Sequence, residues 1–425
     1  MRPGDNGYIN VPEGKTMITL EGHGSYVQCV IQLTDGRLVS GSSDNLIKIW
    51  DTISGNCLMT LEGHTDDVTC VIQLNDGRLV TGSNDNTIKI WDTISGCCSM
   101  TLEDHIGIVI CLIQLTDGRL ASCGVDKTIK IWETISGRCM ITLRGHTDSV
   151  TCVIQLNDGR LVSGGADKSI KIWEAFSGSC LMTLEGHTGW VRCVIQLTDG
   201  RLVSGGADNS IKIWDIISGS CLMTLRGHTD YVQGVIQLTD GRLVSWSDDT
   251  KIKIWNTISG NCLMTLQGHS KCVVCLIQLT DGRLVSGSYD AKIKIWDTIS
   301  GDCLITLKGH TIGVCFIIQL NDGRLISGSF DKKIKIWNIL SLSQQKWIRR
   351  RLLVLLFEAS KILSEPPIQF DVMIHPEQYR RRYNLELLLR CSLNVYNNLI
   401  NLKAFNITLR VLCIPEIVIR IAEYL

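Results

Sequence analysis

Along this chain a histidine, a hydroxyl residue, an aspartate and a tryptophan recur eight times in the same order, each tryptophan 41 residues after the last, from Trp50 and Trp91 to Trp337. His23, Ser40, Asp44 and Trp50 make up the first set, and His64, Thr81, Asp85 and Trp91 the second. Ser163, Ser204, Ser245, Ser286 and Ser327 continue the hydroxyl column, and Asp126, Asp167, Asp208, Asp249, Asp290 and Asp331 the carboxylate column. Serine, histidine and aspartate together suggest a hydrolase triad, but a nucleophile needs an exposed hydroxyl beside an oxyanion hole, and these hydroxyls fall inside apolar strand-like segments. Histidine and aspartate also suggest a metal, yet one histidine per repeat spreads the ligands instead of converging them. Neither catalysis, a cofactor nor a metal is expected.

The elements that must position these residues are short strands. From His64 the chain reads "VTCVIQL", the turn "NDGR", "LVTGS", the turn "NDNT", "IKIWD", the turn "TISG" and "CCSMTL". Val, Ile and Thr between Asn-Asp-Gly and Ser-Gly turn signals favour strands over helix. A strict internal period means that the copies share one continuous core, so length alone does not set the domain count.

The 41-residue period, the Gly-His pair before each repeat and the Trp-Asp pair within it resemble the WD-repeat (WD40) family over about residues 15–340. The third copy reads Asp104-His105, keeping the histidine and losing the glycine, and the residue after tryptophan varies (Asp51, Glu133, Glu174, Asn256, Asn338). The resemblance implies an all-β fold, a β-propeller of four-stranded antiparallel blades. It also implies a buried relay: indole N–H to hydroxyl, hydroxyl to imidazole, imidazole to carboxylate. Such a network stabilises only when complete, because an unpaired buried polar group costs about 1–3 kcal/mol. Each copy holds all four members. A strand of the "CLMTL" type follows the tryptophan seven times, and an eighth, "TMITL" at Thr16 to Leu20, precedes the first Gly-His. Eight blades closed by this amino-terminal strand are therefore expected, with a seven-bladed ring plus a stray repeat as the alternative.

Eight copies can be compared with one another. Asp35 with Arg37, repeated through Asp322 with Arg324, makes one face monotonous and reads as a solvated rim. The other face varies. Before the relay aspartate stand Ser43, Asn84, Val125, Ala166, Ala207, Asp248, Tyr289 and Phe330; three residues after the relay histidine stand Tyr26, Asp67, Ile108, Ser149, Trp190, Tyr231, Cys272 and Gly313. Five after it come Gln28, Thr69, Ile110, Thr151, Arg192, Gln233, Val274 and Cys315. In WD propellers these columns line the top surface where partners dock, which makes Tyr26, Gln28, Ile108, Val125, Trp190, Arg192, Tyr231, Asp248, Tyr289 and Phe330 the candidate partner-binding residues. The aromatics fall in blades 1, 5, 6, 7 and 8, neighbours in a closed ring, and read as an interface arc. The alternative is drift after duplication, with some rings packing between blades. Trp246 replaces a common glycine and reads as a filler of inter-blade space. Several F-box WD-repeat adaptors read phosphopeptides with an arginine cluster in these columns; here Arg192 alone matches, which favours an apolar or mixed peptide.

Lys plus Arg and Asp plus Glu are both 42, so no global field points to nucleic acid or a membrane. The amino terminus lacks the apolar core of a secretory signal, and "LLVLLF" from Leu352 is too short to span a bilayer. Of nineteen cysteines, thirteen lie in two columns, Cys29 to Cys275 and Cys57 to Cys303, and read as small core residues of a reducing compartment. "CVVC" at Cys272 and Cys275 reads as two strand cysteines. A cytoplasmic protein is expected, the nucleus remaining open. Residues 1–14 form an amino-terminal tail, 15–340 the propeller and 341–425 a helical extension carrying 12 Lys plus Arg against 7 Asp plus Glu. "LCIPEIVIRIAEYL", Leu412 to Leu425, resembles the opening helix of an F-box, and, with Leu387 and Cys391, the end of a SOCS box. Both families couple a recognition domain to a ubiquitin ligase. The expected function is a non-catalytic scaffold binding a protein or peptide on the top face, in its sharper form a ligase adaptor whose carboxyl-terminal helices hold the linker protein. The alternative is a structural or signalling assembly platform whose tail oligomerises.

Overall fold

The computed structural model describes residues 16–339. Within them thirty-two strands form eight four-stranded antiparallel sheets. The first blade runs outward through Val27–Gln32, Leu38–Ser42, Ile47–Trp50 and Cys57–Leu61. The last holds Val314–Gln319, Leu325–Ser329 and Ile334–Trp337, and takes its outer strand from the start of the chain, Thr16–Leu20. That strand pairs antiparallel, Thr16 opposite Trp337 and Leu20 opposite Ile334. All eight copies are thereby used in one ring, and the seven-bladed alternative falls.

Strand alternation explains why blades stack. In "IKIW" the two isoleucines face one neighbour and the tryptophan faces the other. Ile47, Ile49, Val39 and Leu61 of the first blade pack with Val68, Leu79 and Trp91 of the second. Across the chain ends Leu20, Ile326, Ile334 and Ile336 pack with Val27, Leu38 and Trp50. Burying a large apolar side chain contributes about 1.5–3 kcal/mol, so each blade owes its stability to two neighbours rather than to itself.

The Asp-Arg hairpins do more than the sequence suggests. Arg37 bonds Asp35 of its own hairpin (2.8 Å) and the Thr93 carbonyl of the next blade (3.0 Å), while the Thr34 N–H donates to Gln73 Oε1 (2.9 Å). The seam between the last and first blades repeats this, with Arg324 on the Thr52 carbonyl (2.6 Å) and the Asn321 N–H on Gln32 Oε1 (3.0 Å). The face read as a solvated rim is a set of half-buried ties between blades.

The cysteine columns separate. Cys29 is paired in register with Gly41, and a Cβ at Gly41 would stand 2.8 Å from its sulfur, so burial pushes this thiol up to about 12. The sixth and eighth blades fill the same space differently, with Gly234 opposite Trp246 and Phe316 opposite Gly328. Trp246 packs into the core toward the seventh blade and donates to the Val274 carbonyl (3.1 Å), as its reading as a filler anticipates. The second column corrects the expectation. Cys57, Cys98, Cys180, Cys221, Cys262 and Cys303 are exposed and Cys139 half-buried, because the outer strand has no further strand beyond it. Cys272 stands just before its strand and Cys275 within it. The readings on residues 1–14 and 341–425 lie outside the described residues.

Candidate functional site

Each relay is built between two strands and a turn of one blade. In the first, the Trp50 indole donates to Ser40 Oγ (2.8 Å), Ser40 bonds His23 Nε2 (2.7 Å), and His23 Nδ1 bonds Asp44 Oδ2 (2.9 Å). Thr81 holds the same bonds in the second, 2.9 Å to Trp91 and 2.8 Å to His64, and Ser122 in the third, 2.8 Å to Trp132 and 2.7 Å to His105. Indole only donates and an ionised carboxylate only accepts, so the imidazole carries its proton on Nδ1 and the serine hydroxyl donates to Nε2. Burial lowers the pKa of His23 and His146, which keeps them neutral, against the opposing pull of Asp44 and Asp167. Burial pushes Asp44 up, but the Gly24 N–H, His23 and the Leu46 N–H together hold it below the usual carboxylate range. The hydroxyls are fully buried between indole and imidazole, so none can attack a substrate; the relay fixes the loops of one face.

Where the glycine is lost, Asp104 forms an ion pair with buried Lys130. After every relay aspartate the chain passes through a left-handed residue, from Asn45 at φ 68° to Lys332 at 69°, including Thr250 at 70°. The variable residue stands just before the aspartate, exposed in Val125 and Tyr289, half-buried in Asp248 and Phe330, and buried in Ala166.

The structure brings some of the candidate residues together. The Phe330 ring meets Tyr26 of the first blade edge-on at 5.1 Å and Tyr289 of the seventh at 5.6 Å. Tyr289 has room because residue 313 is glycine: a Cβ there would stand 2.6 Å from the tyrosine ring. A polar chain continues the arc, Arg192 Nη2 donating to Gln233 Oε1 (2.8 Å) and Gln233 Nε2 to Asp248 Oδ1 (2.7 Å). Burial, then the charge of Asp248, raise the Tyr289 hydroxyl, joining chain and rings electrostatically. Trp190 and Tyr231 stand about half exposed at the start of their inner strands, their carbonyls accepting the N–H groups of Ala207 (2.8 Å) and Asp248 (3.0 Å). Gln28 belongs to another group, bonding Ser43 (2.7 Å), which bonds Asp67 (2.8 Å). Ile108 and Val125 are joined within the third blade, where the Val125 N–H meets the Ile108 carbonyl (2.9 Å) beside exposed Ile106. Sequence reasoning passed over Ile106 and the role of Gly313; the one signal for Gly313 was a missing side chain in a column of larger ones.

Among the described residues no cluster of His, Cys, Asp and Glu could hold a metal, and no helix is long and apolar enough to cross a membrane. Among curated proteins none matches the chain. The chain is similar to the crystal structure of the computationally designed Ika8 protein, with 33% identity and a TM-score of 0.69 over 77% of this chain and 100% of that one. The family model of the WD domain, G-beta repeat, matches eight times, at residues 14–51, 55–92, 96–133, 137–174, 178–215, 219–256, 260–297 and 301–338. With eight relays, eight blades and eight matched repeats, this chain belongs to the WD40 family.

Proposed function

We propose that the protein is an interaction scaffold that binds a protein or peptide segment across the variable face, centred on Tyr289, Phe330 and Tyr26. The observation that carries this reading is the convergence of three rings from three blades onto one another. Tyr289 and Tyr26 remain 43% and 45% exposed. Partly exposed, mutually supported aromatics are pre-organised anchors: they lose little rotamer freedom on binding and offer large contact areas. The adjoining Arg192–Gln233–Asp248 chain supplies polar groups that favour a mixed segment over a purely apolar one. WD40 propellers generally serve as protein-binding scaffolds, which agrees with relay hydroxyls committed to structure.

The finer reading is a substrate adaptor of a ubiquitin ligase, the propeller holding the substrate and residues 341–425 a linker protein. Its support is the resemblance of Leu412 to Leu425 to F-box and SOCS-box sequences. The cytoplasm suits it, since the described cysteines are free thiols. Affinity capture with mass spectrometry tests both levels, using the full chain, a chain ending at Leu340, and a Tyr26→Ala, Tyr289→Ala, Phe330→Ala variant. One set of partners is expected to vanish with the rings, and linker and cullin components with the tail. Identical bound sets for full chain and ring variant would refute the scaffold reading; retention of linker and cullin by the shortened chain would refute the adaptor reading.

A further inference from the structure

On the face opposite the variable columns, the turn between third and outer strand presents a large apolar residue in blade after blade: Ile53, Ile94, Ile135, Phe176, Ile217, Ile258 and Ile299. They are between 73% (Phe176) and 86% (Ile217) exposed. The eighth position of the column, Leu340, lies outside the described residues. Turn geometry holds them out. Asp51 Oδ1 accepts the N–H groups of Ile53 (3.1 Å) and Ser54 (2.6 Å), and Gly55, at φ 76°, donates back to the Asp51 carbonyl (3.0 Å). Gly55 also abuts the neighbouring outer strand, where a Cβ would stand 2.5 Å from Ile18. Aspartate, serine and glycine thus do the conformational work, and the turn needs no apolar residue at Ile53. Apart from Phe176, whose ring lies under the Arg119 guanidinium at 4.6 Å, a repeated, exposed apolar residue with no local task marks an interaction surface.

We propose that this face docks on the same face of a second copy, two rings meeting head to head. Repetition is the first argument. The apolar residues recur once per blade around a ring, and the surface that offers apolar groups at the same spacing is another such ring, in an isologous contact that closes at two. Charge is the second. The arginines of the hairpins on this face are neutralised in place, Arg37 by Asp35 and onward to Arg324 by Asp322. Two copies therefore approach without repulsion between their hairpins, while the turn carboxylates Asp51, Asp92, Glu133, Glu174, Asp215 and Asp297 repel one another until salt screens them and disfavour an anionic lipid surface. Area is the third. At roughly 120 Å² of exposed side chain each, the seven residues offer roughly 800 Å² per copy, about what one partner contributes to a standard stable interface. The contact leaves both variable faces free and pointing apart, so the dimer would present two binding surfaces, one at each end.

Sedimentation equilibrium of the full chain across micromolar concentrations, for wild type and an Ile94→Lys, Ile217→Lys, Ile299→Lys variant, tests this. The wild type is expected at twice the chain mass and the variant at the chain mass, with unchanged thermal unfolding. Should the lysine variant lose its unfolding transition, the corresponding three Ile→Ser changes carry the test, with at least tenfold weaker dimerisation expected. A wild type that stays monomeric, an open-ended assembly, or a dimer that survives the substitutions would each overturn the proposal. So would a monomeric wild type that co-sediments with phosphatidylcholine vesicles, which would assign the ring to a lipid surface.

Discussion

Ser204 shows how much one oxygen carries. It accepts the Trp214 indole (2.8 Å) and bonds His187 Nε2 (2.7 Å), both inside the core. Ser204→Ala unpairs a buried donor and a buried acceptor at once, so a loss of about 2–4 kcal/mol is expected in urea unfolding. Ser204→Thr should cost less than about 1 kcal/mol, because Thr81 already fills the equivalent place; equal losses for the two would mean that the hydroxyl is not what matters. The same relay sets the response to acid. The folded pKa values of His23 and His146 lie below the usual 6.5 through burial, so the unfolded chain takes up protons first and stability falls as pH drops below about 6.5. The relay aspartates are depressed too. Burial raises Asp249, but His228 and the Thr229 and Lys251 N–H groups overcome it and hold it at about 2, against 3.8 unperturbed. Their contribution is present above about pH 4 and is lost as pH falls toward the folded value. The urea midpoint should be level from about pH 7 to 8, decline below about 6.5 and decline again below about 4. A midpoint level down to about pH 5 would contradict neutral, buried His23 and His146.

The element at which local preference and global fold conflict is the relay turn. Its left-handed position is occupied by Asn45, Asn86 and Asn209 in three blades, but by β-branched Thr250 in the sixth, at φ 70°. Asparagine tolerates this conformation, whereas a β-branched side chain crowds its own backbone there. Thr250→Asn should therefore raise stability by about 1 kcal/mol, read as a higher urea midpoint with an unchanged slope. An unchanged or lowered midpoint would mean that the threonine side chain makes a compensating contact. The turn also bears on recognition, since Asp248 stands two residues earlier and reaches Gln233 (2.7 Å) from it. If relief of the strain shifts that carboxylate, partner affinity changes while the fold gains, which separates a turn shaped for binding from one inherited by duplication.

At the scale of the whole ring, blade number was legible because the 41-residue period never slips, and closure because "TMITL" stood without a blade of its own. Strand burial was less legible: "CLMTL" is the outer strand by its place in the repeat, but its cysteines read as core by composition, whereas Cys57 and Leu58 are exposed at the rim. That Tyr26 and Phe330 lie in adjoining blades was legible once eight blades closed the ring, whereas the edge-on contact of the two rings at 5.1 Å was not. The exposed isoleucines were hidden by a turn whose Thr-Ile-Ser-Gly grammar looks complete without asking where the side chain goes. Closure is therefore the step on which the candidate site depends, and removing residues 1–20 tests it. The deletion takes away Leu20 and Ile18 from the seam core and the ladder partners of Ile334–Trp337. It leaves an open, apolar strand edge. Amide exchange should accelerate in Ile334–Trp337 first and then across Val314–Gln319, with thermal unfolding falling further than for any single relay substitution. Partner capture through Tyr26 and Phe330 should fail together with that protection, because the two rings sit on opposite sides of the seam that the strand locks. Retained protection at Ile334–Trp337 would mean that the ring holds itself shut through the Arg324–Thr52 and Asn321–Gln32 ties and the Leu320–Val30 core alone.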